Sequence, residues 1–121
     1  MYDFLKKRAR ALSFALSGMK LGFLREGHLR LHLIALILVI TPGFYYHIST
    51  DEWLFIFGYA GLVISMELIN TAIEKICDLV DPKENPQIKY IKDLGAAGVL
   101  IAALTALVVA CIIFKKYILH V

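Results

Sequence analysis

Two cysteines, three prolines and one tryptophan are spread through the chain, and only 19% of its residues are charged. Cys77 and Cys111 have no pairing or ligand spacing, which excludes a disulfide framework and a cysteine metal cluster, and both read as inert buried thiols. The chain also lacks a Gly-x-x-x-x-Gly-Lys loop, a dinucleotide fingerprint and a protein kinase signature. A net charge of only +3 gives no argument for nucleic acid.

What is abundant is apolar surface: 60% of the 121 residues are hydrophobic, far from ordinary soluble usage. Leu94 to Phe114 runs for 21 residues without a charge. Trp53 to Ile73 runs for 21 with only Glu67, and Leu31 to Ile48 for 18 with only His32 and His47 as titratable groups besides tyrosine. About 20 such residues cross a hydrocarbon core. The sequence therefore predicts an all-α membrane protein of one domain, residues 1–121, with spans near 29–48, 53–79 and 88–116. Ahead of them, near 4–24, Leu5, Leu12, Leu16, Met19 and Phe23 share one helical face and Lys6, Lys7 and Arg10 lie on others, the pattern of an amphipathic surface helix. Lys6-Lys7-Arg8 before Ala11–Met19 imitates a secretory leader, but Ser13, Ser17 and Gly18 interrupt it.

Lysine and arginine number seven in residues 1–30, four in 75–92 and none in 49–52, which predicts a cytoplasmic N-terminus and second link. The expected punctuation is an end to the first span near Thr41-Pro42-Gly43, a cap at Thr50 or Asp51, bends at Gly18 and Gly22, and a polar loop over Asp81–Pro86. Gly58, Gly61 and Ser65, facing Gly95, Gly98, Ala102 and Ala106, predict close helix packing in a bundle. Three spans offer little interior to shelter several acids, so neighbouring copies are expected to complete the site.

At 100° per residue Glu67, Asn70, Glu74 and Asp78 fall within about 80° of arc. An acid near the bilayer centre costs roughly 2–3 kcal/mol, so such a stripe has a partner or a task. Cross-helix polar glue would also use Glu67 and Asn70. Glu26 taken alone reads as an interfacial ion-pair residue, Asp93 as a helix cap and Lys92 as a snorkelling side chain. His28 and His32, four apart, lack the glutamate of a zinc-protease helix and read as interfacial histidines.

Glu67-Leu-Ile-Asn70-Thr-Ala-Ile-Glu74, then Cys77-Asp78, then Lys92-Asp93-Leu-Gly-Ala-Ala-Gly98 resembles the small prokaryotic diacylglycerol kinase and undecaprenol kinase family, over about residues 7–116. The resemblance implies a homotrimer in the bacterial cytoplasmic membrane, with ATP as phosphoryl donor, Mg2+ as cofactor and a membrane lipid as acceptor. It implies Glu67 as general base, Asn70 as its orienting partner, and Glu26 and Glu74 as metal ligands that also meet the nucleotide. It implies Lys92, Asp93, Lys83, Glu84, Asn85 and Phe14 around the nucleotide, and Glu67, His28, Arg30, His32 and Ala96 around the lipid. Well-known diacylglycerol kinases carry glutamine and glutamate where Leu31 and His32 stand, and the Arg-apolar-His form resembles the undecaprenol kinase branch, which favours a polyprenol acceptor. Two non-enzymatic readings compete: an oligomeric channel lined by Glu67 and Glu74, and a regulatory subunit recruiting a partner through the basic helix.

Overall fold

In the computed structural model, which describes residues 1–83 and 85–119, the chain forms four helices: α1 (Tyr2–Arg25), α2 (Gly27–Tyr45), α3 (Thr50–Val80) and α4 (Pro86–Ile118). No strand occurs among the described residues. Three helices, α2, α3 and α4, are long and apolar enough to cross a membrane. With a rise of 1.5 Å per residue, the 31 residues of α3 and 33 of α4 reach beyond a hydrocarbon core about 30 Å thick. Both must therefore project into polar surroundings.

No residue of α1 is buried, and its apolar stripe at Leu5, Leu12, Leu16 and Met19 stays exposed, as a surface helix requires. The helix continues without a break through Gly18 and Gly22. Gly22 serves packing: a methyl there would lie 3.0 Å from Leu29 and 3.1 Å from Leu68, so the end of α1 seats against α2 and α3. Only Glu26, extended at φ −101° and ψ 117°, separates α1 from α2. Leu29, fully buried three residues later, pins that junction.

The first span does not stop at Thr41-Pro42-Gly43 but continues to Tyr45. Pro42 has no N–H for the carbonyl of Leu38, yet its fixed φ suits a helix, and Thr41 Oγ1 donates to the Ile37 carbonyl at 2.9 Å. The stop comes at His47, whose φ of 51° is left-handed, while the amides of Tyr46, His47 and Ile48 close onto the carbonyls of Pro42, Phe44 and Gly43. Ser49, not Thr50 or Asp51, then caps α3. Its hydroxyl accepts from the Glu52 amide at 3.3 Å, and the Glu52 carboxylate accepts from the Ser49 amide at 2.8 Å.

This hairpin end, around residues 46–49, holds the hydrophobic core. Ile48, Ile56 and Ile113 form its centre, with Val39, Tyr46, Trp53, Phe114 and Tyr117 against them. Gly43 is needed here, because a methyl would meet Trp53 at 2.7 Å. Glu52, 9% exposed, also accepts from Tyr117 Oη at 2.7 Å and pairs with Lys116, so α4 is tied to the start of α3.

At the opposite, loop end, Asp81 accepts from the Lys83 amide at 3.0 Å and from Asn85 Nδ2 at 3.3 Å, and Asn85 caps α4 ahead of Pro86. Asp93 is therefore well inside α4 and is not its cap. The tightest approach is between α3 and α4. A methyl on Gly95 would strike Asn70, and one on Gly98 would lie 2.7 Å from Met66. Gly58 and Gly61, expected in the same seam, have no heavy atom within 4 Å of the space a methyl would fill. Cys77 is buried, but Cys111 is exposed, which corrects its reading as a buried thiol.

Candidate active site

The polar stripe of α3 becomes a line of paired groups running toward the loop end. Glu67, with its side chain 8% exposed, meets His32 of α2: Nε2 lies 2.9 Å from Oε1. One turn on, Asn70 Nδ2 donates to Glu74 Oε1 at 3.1 Å. Asp78 receives Lys92 Nζ of α4 at 2.5 Å. From the α1–α2 junction, the Glu26 carboxylate reaches Lys75 Nζ at 3.1 Å. Helix phase explains the order, since positions three or four apart share a face.

One group in this line is unsatisfied. Asn70 Oδ1 is buried with no hydrogen-bond partner, held against the bare backbone of Gly95. A buried unpaired acceptor costs about 1–3 kcal/mol, a price ordinary structural residues rarely carry.

Two spaces flank the stripe. An apolar groove of about 270 Å³ opens between α2, α3 and α4, with His32 in its lining beside Ala35, Tyr59, Val63, Ala103 and Ala106. At the loop end a cavity of about 550 Å³ gathers Lys83, Lys89 and Lys92 with Asp78, Asp81 and Asn85. The buried acid thus stands between a space suited to hydrocarbon and a space rich in lysine.

The sequence candidates fare unequally. Glu67, His32, Asn70, Glu74 and Glu26 are paired along the stripe or across it. Lys83, Asn85 and Lys92 line the loop-end cavity. Asp93 turns away to Lys89, Nζ to Oδ2 2.5 Å, because adjacent helical residues point about 100° apart. His28, Arg30, Ala96 and Phe14 are exposed, and Arg30 donates to the Leu24 carbonyl at the end of α1. Glu84 lies outside the described residues. Glu26 is in an ion pair, as its reading taken alone expects, with Lys75 of α3 as the partner, whereas Lys92, read alone as a snorkelling side chain, is paired with Asp78 of α3. Among the described residues no three histidine, cysteine or acidic side chains converge as a metal cluster. Sequence reasoning missed Lys75 as the partner of Glu26 and Lys89 in the cavity; spacing along one helix carries no information about a partner on another.

A membrane-embedded helical bundle with a buried carboxylate between an apolar groove and a lysine-lined cavity is the arrangement of an enzyme that brings a lipid to a charged, water-borne substrate. Residues 13–114 match the family described as prokaryotic diacylglycerol kinase, and the chain belongs to that family. It is similar to the undecaprenol kinase of Bacillus subtilis, with 36% identity over 74% of this chain and 72% of the relative. It is also similar to the diacylglycerol kinases of Pseudomonas aeruginosa (30% identity, 81% and 80% covered) and Escherichia coli K12 (24%, 89% and 88%). The chain is accordingly a lipid kinase of the membrane.

Proposed function

We propose that this kinase transfers the terminal phosphate of MgATP to the hydroxyl of a membrane lipid, undecaprenol in preference to diacylglycerol, at the cytoplasmic face and as a homotrimer. The observation that carries the reading is Glu67: a carboxylate held in the apolar bundle by His32, which lines the groove a lipid tail would occupy, and sharing a helix face with Asp78, which lines the lysine cavity a nucleotide would occupy.

Phosphoryl transfer is mainly positioning and charge neutralisation, with a carboxylate taking the proton of the attacking hydroxyl. Glu67 suits that base. Asn70 orients the acidic line through Glu74, and its free Oδ1 is available to a substrate donor. Lys92 and Lys83 line the loop-end cavity and would meet phosphate oxygens there, with Asn85 in the same lining; Asp93, Glu84 and Phe14 remain nucleotide contacts by family resemblance alone. Glu26 and Glu74 supply hard oxygen donors of the kind Mg2+ prefers, and two carboxylates leave room for the waters and phosphates it keeps. When bound there, the ion would neutralise phosphate charge.

Three features support the finer choices. His32 in the lining of an apolar groove, next in sequence to the exposed Leu31, suits an isoprenoid better than a glycerol backbone, while His28, Arg30 and Ala96 remain acceptor contacts by resemblance alone. The unoccupied approach at Gly58 and Gly61, together with wide apolar exposure on the spans, supports further copies around each chain. The lysine and arginine excess at the loop end supports a cytoplasmic site. Membership of a kinase family does not favour the channel.

The test is ATP-dependent phosphate incorporation by purified protein in mixed micelles, offered undecaprenol and diacylglycerol side by side, with and without Mg2+. Label on undecaprenol, dependent on Mg2+, is expected. Preference for diacylglycerol would overturn the acceptor, and no label from folded protein would overturn the reading.

A further inference from the structure

We infer that His32 is a positioning residue for the base: its imidazole holds one oxygen of Glu67 and leaves the other for the acceptor hydroxyl. The inference rests on the kinase reading and gives His32 a role beyond lining the acceptor site.

His32 belongs to the inward face of α2, one turn beyond the fully buried Leu29 and one turn before the partly buried Leu36. Nε2 lies 2.9 Å from Glu67 Oε1, across 35 residues of sequence and two helices. A base must be ionised to take a proton and an ionised carboxylate accepts only, so for Glu67 to act as the base Nε2 must carry the proton of this bond and donate it. Among the described residues this is the one hydrogen bond made by the Glu67 side chain, and Oε2 receives no protein donor.

The terminal torsion of a glutamate is broad, so an untethered carboxylate would present either oxygen over a range of angles. Tethering Oε1 removes that freedom, and a base must lie within about 2.6–3.2 Å of the proton it takes. Misplacement of a catalytic group by 1 Å can cost about a hundredfold. The same imidazole lines the apolar groove, so a lipid chain seated there touches the residue that aims the base.

The test is a double-mutant cycle read in lipid turnover, on protein shown to be folded by its melting temperature in detergent. His32→Leu keeps the apolar lining and removes the donor; its turnover is expected to fall about 10- to 100-fold with KM for ATP unchanged. His32→Gln, which keeps an N–H at similar reach, is expected to recover most of that loss. In a Glu67→Gln background His32→Leu is expected to cost less than about threefold, because the carboxylate it aims is gone. An equal loss in both backgrounds, or a Gln variant no better than Leu, would overturn the inference and leave His32 a packing or acceptor contact. Independently of folding yield in the Leu variant, histidine 15N spectra should show Nε2 protonated in the native chain and a changed tautomer balance in Glu67→Leu; an unprotonated Nε2 in the native chain would sink the idea. A native chain that labels no lipid would instead remove the kinase reading itself.

Discussion

The two ends of the bundle spend their polar groups differently. At the hairpin end Glu52 is a buried acid with every demand met: it closes the cap of α3, accepts from Tyr117 and pairs with Lys116, all beside the aromatic and isoleucine core. Toward the loop end, among the described residues, Glu67 has one partner, Asn70 keeps a bare buried oxygen, Glu74 accepts from Asn70 alone, Glu26 pairs with Lys75, and Asp78 pairs with Lys92 in the loop-end cavity. Buried acids of similar exposure are thus satisfied to different degrees. A saturated acid ties helices together, and under the proposed function the acid with a free oxygen is the one that meets substrate.

Breaking the comparison at its loop end should have the largest effect. Glu67→Gln is expected to lose about a hundredfold to ten thousandfold in lipid turnover with its melting temperature retained, the usual range for a general base. Gly95→Ala comes next. It forces a methyl against Asn70 where α3 and α4 touch, and it is expected to lower turnover at least tenfold while costing about 1–3 kcal/mol of stability, the range for overpacking, read by thermal melting and assay together.

The hairpin end should answer in stability alone. Glu52→Ala removes the carboxylate half of the α3 capping box and the contacts to Tyr117 and Lys116, and should cost about 2 kcal/mol in thermal or denaturant melting, while turnover at low temperature stays within about twofold. The smallest effect belongs to a site at neither end. Gly18→Ala on α1 has open space for its methyl and should gain up to about 1 kcal/mol of helix stability without altering turnover. A clear loss of activity there would place a substrate or another copy on that face.

Much of this division was legible in the sequence. The three apolar runs and the amphipathic start fixed the all-helical membrane class, because length against bilayer thickness is a strong constraint. The 67-70-74-78 phase put the stripe on one face before any coordinates. Local punctuation was harder to read. Pro42 was taken for a stop, yet helix geometry tolerates it where Thr41 bonds back and the hairpin supplies its own stop at His47. Ser49 rather than Thr50 or Asp51 is the cap because Glu52, three residues on, returns the bond to its amide, and three cap-forming residues in a row do not by themselves say which one has that partner. The pairings His32 with Glu67, Lys75 with Glu26 and Lys92 with Asp78 cross between helices, and only the packing of Leu29, Gly22 and Gly95 sets their register.

The most direct test of the account is the ratio of lipid phosphorylation rates between Glu52→Gln and Glu67→Gln chains, measured with MgATP in the same micelles at a temperature where both are folded. The account expects Glu52→Gln to work at near the native rate and to exceed Glu67→Gln by at least about a hundredfold. Equal rates in the two variants would contradict it, since the buried acids at the two ends would then not divide into one that holds the bundle and one that performs the chemistry.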